Sequence, residues 1–316
     1  MASMNTGLDT HLNDLEQFIH EIQHWDLDFR LLGTGGFKGR IGQLLSRDVL
    51  VTYARFQRGL EQAGSTPPGY KTFVILGKGC NGFWWRGHQV TKNDLLVFPK
   101  SNELRCTSGT DFEVYTISVR SAYFEQLVEN LGLSGLSDTK REVIQLEPHS
   151  VQDLRTHASM FLRSTDGAAT LAASQELAEK LAACTTKDLP RNRVSLRKRD
   201  FAVDRVVEYV RCVPAPSSEL TRLCHIARVS ERTLQYAFKE RYGISPNAFV
   251  KRWNLNSVRR LLLQVDPAKA TINEIAMSLG FFHQGHFTAD YKKLFSELPS
   301  ATLESKHKML NLSNQN

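Results

Sequence analysis

Residues 220–246 read LTRLCHIARVSERTLQYAFKERYGISP, and residues 272–299 read INEIAMSLGFFHQGHFTADYKKLFSELP. These two stretches are copies of one pattern. Four pairs define their register: Leu223–Ile275 and Arg228–Gly280 at an offset of 52, then Phe238–Tyr291 and Tyr242–Phe295 at an offset of 53. An internal repeat of this kind indicates one supersecondary unit used twice.

Each copy predicts a helix, a tight turn and a second helix. Gly280 can take the positive φ of such a turn at no steric cost, whereas Arg228 in the first copy cannot do so as cheaply. Ser230 is the predicted N-cap of a helix that begins at Glu231. Apolar residues that recur every four positions give the second helix of each copy an inward stripe, formed by Leu234, Phe238 and Tyr242 and by Phe287, Tyr291 and Phe295.

The opposite faces of these second helices carry polar side chains. Arg, Gln, Thr, Lys and His form hydrogen bonds to base edges and phosphates in a major groove. We therefore predict that the two copies form a double helix-turn-helix domain that binds double-stranded DNA. The predicted contacts are Ser230, Arg232, Thr233, Gln235, Tyr236 and Lys239 in the first copy, and His283, Gln284, His286, Thr288 and Lys292 in the second.

A basic segment, SPNAFVKRWNLNSVRRLLLQ, joins the copies. Its apolar residues follow helical spacing, and about 17 helical residues span about 25 Å. A rod of that length could hold two recognition helices near the roughly 34 Å that separates successive major-groove faces. An ordinary helical bundle is the alternative interpretation.

The stretch from about Phe201 to Leu303 resembles the DNA-binding domain of AraC/XylS-type transcription regulators. Its most specific matches are VSERTLQYAFKERYGISP and IAMSLGFFHQGHFTADYKKLF. Within that family, GISPNAFVKRWNLNSVRRLLL and GFFHQGHFTADYKKLFSELPS look most like regulators of ethanolamine utilisation. The resemblance covers about a third of the chain.

The resemblance implies a bacterial protein that controls promoters through contact with RNA polymerase. By position it assigns base reading to Arg232, Gln235 and Tyr236 in the first copy, and to Gln284, Gly285, Thr288 and Ala289 in the second. The sequence departs from the family where Tyr236 and Ala289 replace a common Arg, Ser296 a frequent Gly, and Leu298 a Ser. Because Gly285 and Ala289 offer no side-chain hydrogen bonds, the second copy is expected to grip mainly phosphates and the first to set specificity.

Charge is divided unevenly along the chain. From Arg191 onward there are 21 Lys/Arg and 11 Asp/Glu, a net charge of +10, whereas residues 1–190 hold 19 and 22, a net charge of −3. This favours a nucleic-acid-binding C-terminal part joined to a part with another task. The five cysteines form no CxxC pair, and neither a signal peptide nor an apolar run of membrane length is evident, so we expect a cytoplasmic protein without a membrane partner.

The N-terminal half predicts an antiparallel β domain. Helical spacing over residues 8–25 predicts a short entry helix, after which short apolar runs alternate with Gly, Pro, Asn and Asp clusters. The run GFWWRGHQVTKNDLLVFPKSNEL looks like the sensor domains that AraC/XylS regulators often carry. The predicted fold class is α+β: an N-terminal antiparallel jelly-roll (cupin-like) β-barrel with helices, and a C-terminal all-α domain of seven helices.

The sequence divides into five predicted segments. They are a sensor-like barrel with its N-terminal helix (1–120), a helical segment (121–185), a basic linker (186–200), the double helix-turn-helix domain (201–304) and a flexible tail (305–316). The amphipathic pattern of the helical segment favours a homodimer face, and packing onto the barrel is the alternative. Its apolar residues are Leu154, Met160, Phe161, Leu171, Leu177 and Leu181.

A small-molecule effector site is the hypothesis for the barrel. Aromatic residues would line an apolar pocket and basic residues would anchor an anionic group, although the aromatics are equally typical of a core. The candidates are Lys38, Arg40, Tyr70, Trp84, Trp85, Arg86 and Phe98. Within the barrel span only His88 could serve as a histidine ligand, so we expect no metal, no cofactor and no catalysis.

These observations predict a sequence-specific DNA-binding transcription regulator, more specifically an activator, controlled by an effector bound in the barrel. One alternative is a constitutive or partner-controlled regulator whose N-terminal half only dimerises or binds protein. A remote alternative is a barrel enzyme tethered to nucleic acid.

Overall fold

The structure is a computed structural model that describes residues 8–80, 82–99, 101–133, 142–186, 198–265 and 270–304. It divides into two units. The barrel unit holds the described residues within Met1–Phe29, Lys38–Gln57 and Gln62–Val194, and the helical unit holds those within Arg30–Phe37, Arg58–Glu61 and Ser195–Asn316. Most of the predicted basic linker and all of the predicted tail lie outside the described residues.

Two β-sheets build the N-terminal part. The strands, in chain order, are β1 (Leu8–Leu12), β2 (Asp26–Leu31), β3 (Gly39–Ser46), β4 (Val49–Phe56), β5 (Leu60–Ser65), β6 (Tyr70–Leu76), β7 (Phe83–Trp85), β8 (His88–Val90), β9 (Asp94–Val97), β10 (Glu103–Ser108), β11 (Phe112–Arg120) and β12 (Val143–Gln145). One sheet has the order β1-β3-β4-β11-β6-β9-β12, and the other has the order β2-β5-β10-β7-β8. Every neighbouring pair in the seven-stranded sheet is antiparallel. The predicted α+β class with an antiparallel N-terminal barrel is confirmed.

Helices cover one face of the seven-stranded sheet. The barrel unit contains α1 (Leu15–Glu21), α2 (Ser121–Asn130), α3 (Pro148–Arg163) and α4 (Gly167–Thr186). Apolar residues of α2, α3 and α4 form one core with alternate residues of the sheet, such as Val51 on β4 and Ile117 on β11. This burial removes apolar surface from water and fixes the helices to the sheet.

Four of the six residues predicted to form a dimer face belong to that intramolecular core: Leu154, Phe161, Leu177 and Leu181. Met160 and Leu171 remain exposed. The amphipathic pattern of the predicted dimer segment is therefore explained largely by packing within the chain.

Two elements differ from the sequence predictions. Residues 8–12 form strand β1, which pairs with β3 from Leu8↔Gln43 to Leu12↔Gly39, so the entry helix is shorter than predicted and begins at Leu15. Val143–Gln145 form strand β12 inside the stretch predicted as helical, and they pair with β9. In both cases pairing with a distant strand overrides the local pattern.

The helical unit contains helices of 7 to 19 residues. They are α5 (Lys198–Cys212), α6 (Leu220–Ala227), α7 (Glu231–Tyr242), α8 (Pro246–Gln264), α9 (Ile272–Ser278) and α10 (Gln284–Phe295). Residues 299–304 are also helical, which gives the seven helices predicted within the described part of this unit. Its first core joins α5, α6, α7 and α8 around Phe238, Phe249 and Trp253.

Residues 30–37 cluster with this unit. Asn256 on α8 exchanges two hydrogen bonds with the backbone of Leu31, accepting from its N–H at 2.8 Å and donating to its carbonyl at 3.0 Å. The Arg30 guanidinium stacks over the Trp253 ring at 3.8 Å. Among the helices that the structure describes, none is both long and apolar enough to cross a bilayer.

Candidate nucleic-acid interface

The two helix-turn-helix copies close their turns in the same way. In the first copy, Arg228 adopts a left-handed conformation with φ of 56°, and the N–H of Val229 donates to the carbonyl of Cys224 at 3.3 Å. In the second copy, Gly280 has φ of 86°, and the N–H of Phe281 donates to the carbonyl of Ala276 at 3.0 Å. Residues 52 positions apart in the two turns therefore have equivalent backbone geometry, as the repeat predicts.

The recognition helices, α7 and α10, begin differently. The Ser230 hydroxyl accepts a hydrogen bond from the N–H of Thr233, so Ser230 is the N-cap of α7 as predicted. His283 occupies the corresponding position of α10 and makes no side-chain cap. Backbone N–H groups at a helix N-terminus favour negative charge, so both ends suit a phosphate.

The predicted contact residues lie mainly on the exposed faces of these helices. In the first copy Arg232, Gln235, Tyr236 and Lys239 are exposed, and in the second His283, Gln284, His286 and Lys292 are exposed, whereas Thr233 and Thr288 are half-buried. Four residues of the predicted inward stripe, Leu234, Phe238, Phe287 and Tyr291, are buried, whereas Tyr242 and Phe295 are half-buried.

Internal hydrogen bonds hold part of the first surface. Gln235 donates to the carboxylate of Glu231 at 3.0 Å, and Lys239 donates to the carbonyl of Gly243 at 3.1 Å. These bonds orient the side chains along the helix.

Two exposed aromatic residues mark this surface. Tyr236 on α7 is 64% exposed, and Phe282, just before α10, is 71% exposed. Phe282 was absent from the predicted contacts because its neighbour Phe281 packs against Phe287, with ring centroids 5.3 Å apart, and a double Phe does not reveal which ring faces outward. The turn at Gly280, two residues before Phe282, is the sequence signal that could have identified Phe282 as exposed.

The connector α8 contacts both copies. The Asn254 side-chain amide donates to the carbonyl of Pro216, ahead of α6, at 3.1 Å and to that of Leu279, at the end of α9, at 3.3 Å. Lys251 pairs with Asp290 on α10, and Phe249 stacks against Tyr242 on α7 at 4.5 Å. Since α8 has 19 residues, it is about 28 Å long.

Two of the three arginines of the connector are engaged inside the helical unit. Arg259 pairs with Glu297, and Arg252 donates to the carbonyl of Leu32. Burial lowers the pKa of Arg252 from its ordinary value. The basic character of α8 therefore serves packing at these two positions.

A buried tyrosine holds the second recognition helix in place. Tyr291 is fully buried and its hydroxyl lies 2.8 Å from that of Thr302. Burial raises the pKa of Tyr291 to about 12, so this phenol stays neutral over the physiological range. The buried contact between Tyr291 and Thr302 therefore fixes the position of α10, whose opposite face is exposed.

The predicted effector residues are scattered over the N-terminal part. Trp85 and Phe98 line a cavity between the sheets, and their rings meet edge to face at 4.9 Å. Trp84 is buried, but it does not line that cavity. Lys38 is exposed and Tyr70 lies under the Arg120 guanidinium at 5.5 Å.

The two remaining effector candidates are committed to carboxylates. Arg40 hydrogen-bonds Asp9 at 2.8 Å, which lowers the pKa of that carboxyl. Arg86 lies 2.8 Å from a Glu142 oxygen and 3.4 Å from a Glu103 oxygen. Among the described residues, no group of three or more His, Cys, Asp and Glu side chains is placed to hold a metal ion.

Comparison with known proteins agrees with this geometry. The helix-turn-helix domain family matches residues 223–305. The XylDLEGF operon transcriptional activator 2 of Pseudomonas putida is 35% identical over 106 residues, which cover 34% of this chain and 67% of that protein. The chain belongs to the AraC/XylS family of transcription regulators.

The family likeness extends beyond the DNA-binding domain. The XylDLEGF operon transcriptional activator of P. putida is 25% identical to this AraC/XylS regulator over 248 residues, or 74% of each chain. A match of that length must enter the N-terminal half. The crystal structure of the AraC-like transcriptional activator CuxR is 16% identical with a TM-score of 0.42, covering 86% of this chain and 99% of that one, a likeness too weak for structural inference. The narrower resemblance to ethanolamine-utilisation regulators stays a prediction.

Proposed function

We propose that this AraC/XylS regulator activates transcription from specific promoters by placing both recognition helices on one operator at once. The observation that carries the proposal is that α8 contacts both copies, through the Phe249 ring against Tyr242 on α7 and through the ion pair of Lys251 with Asp290 on α10. A shared rigid support allows one polypeptide to read two adjacent groove segments. The activating role is supported by the relatives from P. putida, which are operon activators by name.

Specificity is assigned mainly to the first copy. Arg232, Gln235 and Tyr236 offer hydrogen bonds to bases, whereas Gly285 and Ala289 offer none in the second copy. The exposed rings of Tyr236 and Phe282 suit apolar contact with thymine methyl groups. The second copy then contributes affinity through Lys292 and the start of α10, which suit phosphates.

Two further partners follow from an activating role. RNA polymerase is the proposed partner at the promoter, because an activator must act on the transcribing enzyme. A homodimer is proposed through the outer face of α4, where Leu171 remains exposed. Sedimentation equilibrium of the wild type and a Leu171→Ser variant tests the dimer, which should weaken in the variant.

Control by a small molecule in the barrel rests on the cavity between the sheets. Apolar residues line it, including Trp25, Trp85 and Phe98. The indole N–H groups of Trp25 and Trp85 are buried without a hydrogen-bond partner among the described residues. Unpaired buried donors are costly, and the oxygen of a ligand would satisfy them.

The small size of the cavity favours a second candidate function, in which no small molecule binds in the barrel. Its volume is about 60 Å³, below the roughly 300 Å³ of ordinary ligand pockets. A larger effector would enter only if side chains moved. A filled barrel favours a regulator whose N-terminal half is controlled by dimerisation or by a protein partner instead.

A genome-wide map of bound DNA tests the DNA-binding proposal. We expect one recurring motif made of two segments about one helical turn apart. Bound sites that share no motif would contradict sequence-specific recognition.

The effector proposal needs a separate experiment. Candidate metabolites are titrated against promoter binding by the wild type and by a Trp85→Phe variant, which keeps the aromatic volume and removes the buried N–H. Barrel control predicts a ligand whose effect on promoter affinity weakens in the variant. If no metabolite changes promoter affinity, the partner-controlled candidate is favoured.

A further inference from the structure

The cleft between α3 and the seven-stranded sheet is a positively charged feature of the barrel unit that DNA binding leaves unexplained. Its volume is about 290 Å³, close to the lower end of ligand pockets. The cleft is lined on the sheet side by Gly77, Lys78, Glu113 and Tyr115, and on the helix side by Gln152, Arg155, Thr156, Ser159, Met160 and Arg163.

This cleft is separate from the barrel cavity. Strand β11 shows the division, because Glu113 and Tyr115 line the cleft whereas Val114 and Thr116 line the cavity between the sheets. Successive side chains of a strand point to opposite faces. No residue lines both spaces in the part of the chain that the structure describes.

Arg155 is the decisive residue. It is only 9% exposed, and its guanidinium donates to the carbonyls of Leu76 at 2.6 Å and Lys92 at 2.5 Å. Both acceptors are neutral, and within the described ranges no carboxylate lies at ion-pair distance from Arg155. Burial lowers the pKa of Arg155 from its ordinary value, which reflects the cost of holding this charge away from water.

The rest of the lining is positively charged. Lys78 and Arg163 add two exposed cations, and Glu113 supplies the one carboxylate, so the lining carries a net charge of +2. The Tyr115 phenol hydrogen-bonds Ser159, and burial raises its pKa, so it remains a neutral group in the cleft. Met160 is 59% exposed and offers apolar surface beside these charges.

We propose that this cleft binds a small organic anion, whose carboxylate or phosphate group lies between Arg155, Arg163 and Lys78 and whose apolar part lies against Met160. Arginine matches the planar geometry of both head groups and can donate two parallel hydrogen bonds to either. Glu113 acts on Arg155 only through its charge, and the anion would add a negative group at hydrogen-bond distance. Because Arg155 also fixes the end of β6 through Leu76, the occupant stabilises the contact between α3 and the sheet.

The test uses the full-length protein with inorganic phosphate and with acetate, each against potassium chloride of equal ionic strength. Hydrogen exchange of the α3 peptide, residues 148–163, is followed as a function of anion concentration. We expect saturable protection of that peptide by at least one of the two anions, and the stronger one identifies the preferred head group.

A Lys78→Gln/Arg163→Gln variant locates the effect. Both side chains are exposed, so the variant should fold, and the apparent dissociation constant of the anion should rise by about tenfold or more. Lys292→Gln/Lys293→Gln on α10 is the matched control, with two positive charges likewise removed from exposed positions and unchanged protection of α3. An Arg155→Lys variant, which keeps the charge and loses the planar fork, should also weaken binding.

The proposal is overturned if α3 gains no saturable protection, or if the double variant is protected as strongly as the wild type. Promoter binding without added anion should be the same in the double variant and the wild type. A failure of the cleft therefore leaves the DNA-binding proposal standing, and the reverse is also true.

Discussion

The two helix-turn-helix copies place their glycines at opposite ends of equivalent helices. The first copy turns through left-handed Arg228 and ends its recognition helix on Gly243 with φ of 70°. The second turns through Gly280 and ends on Ser296 with φ of 62°. Each copy thus holds one non-glycine residue in a conformation that favours glycine.

This exchange shows that the backbone path of the motif is conserved between the copies although the residues that adopt it are not. The supporting framework must therefore hold both left-handed residues in place. The framework shared by both copies is α8, which contacts α7 through Phe249 and α10 through Lys251. The faces that meet DNA are free to differ, as Arg232 and Lys292 do.

Breaking the shared support should have the largest effect. An Asn254→Ala variant leaves the carbonyls of Pro216 and Leu279 without this donor, which should lower the free energy of unfolding of the helical unit by about 2–3 kcal/mol. Urea unfolding measures the change. The control is Leu261→Ala, at an exposed position on the same helix, where little change is expected. Equal losses in both variants would show that the two hydrogen bonds of Asn254 do not stabilise the helical unit.

Next in size is the division of labour between the recognition helices. Arg232→Ala should weaken binding to the operator by about 1–3 kcal/mol and leave binding to random duplex nearly unchanged. Lys292→Ala should weaken binding to all DNA alike and reduce the salt dependence by about one counterion. Competition binding with operator and random duplexes at several salt concentrations distinguishes them. The division is wrong if both variants lose affinity equally on the two duplexes.

The glycine exchange predicts four smaller changes in stability. Arg228→Gly and Ser296→Gly should each raise the free energy of unfolding by about 0.5–1 kcal/mol, because glycine adopts left-handed φ without strain. Gly243→Ala and Gly280→Ala should each lower it by a similar amount. A Cβ at either glycine meets no atom within 4 Å, so only the backbone is tested. If the unfolding temperature changed in the same direction in all four variants, the left-handed φ at these positions would not determine their stability.

The smallest predicted effect is a dependence on pH that belongs to the second copy alone. Glu274 accepts hydrogen bonds from the N–H of Thr271 at 2.7 Å and from its hydroxyl at 2.8 Å, which lower the pKa of Glu274 below its ordinary value of 4.5. Its stabilising contribution is therefore present above pH 4.5 and is lost as the pH falls through the lowered pKa. The equivalent helix of the first copy, α6, has no side-chain cap at its N-terminus and so lacks this contribution.

Thermal unfolding between pH 6 and pH 3 measures this effect in the wild type and in Glu274→Gln. The difference between the two proteins should shrink as the pH falls. A difference that stays constant over the range would show that the capping carboxylate makes no titratable contribution.

The DNA-binding half was predictable because its signals are local. Caps such as Ser230, a turn glycine such as Gly280 and a stripe such as Leu234 and Phe238 lie within one turn or one helix of the structure they specify. The family resemblance rests on the same residues. The packing of α8 was less visible, since Arg252 and Arg259 look like a DNA-binding face and are engaged internally.

The barrel half depends on contacts between distant residues. Leu8–Leu12 becomes a strand because β3 lies beside it, and the stripe on α3 and α4 fits a dimer face as well as a sheet. The cleft could not be predicted, because the hydrogen-bond partners of Arg155, the carbonyls of Leu76 and Lys92, are 79 and 63 residues away in the sequence. Periodicity identifies an apolar face but not what covers it.

The most direct test that the two copies bind DNA as one rigid unit is the affinity for an operator with five base pairs inserted between its two contacted segments. Five base pairs rotate one segment about half a turn around the duplex. Two copies held by one rigid α8 cannot follow, so affinity should fall to that of a site carrying only one segment. If the lengthened operator binds as tightly as the natural one, the two copies do not act as a single rigid reader.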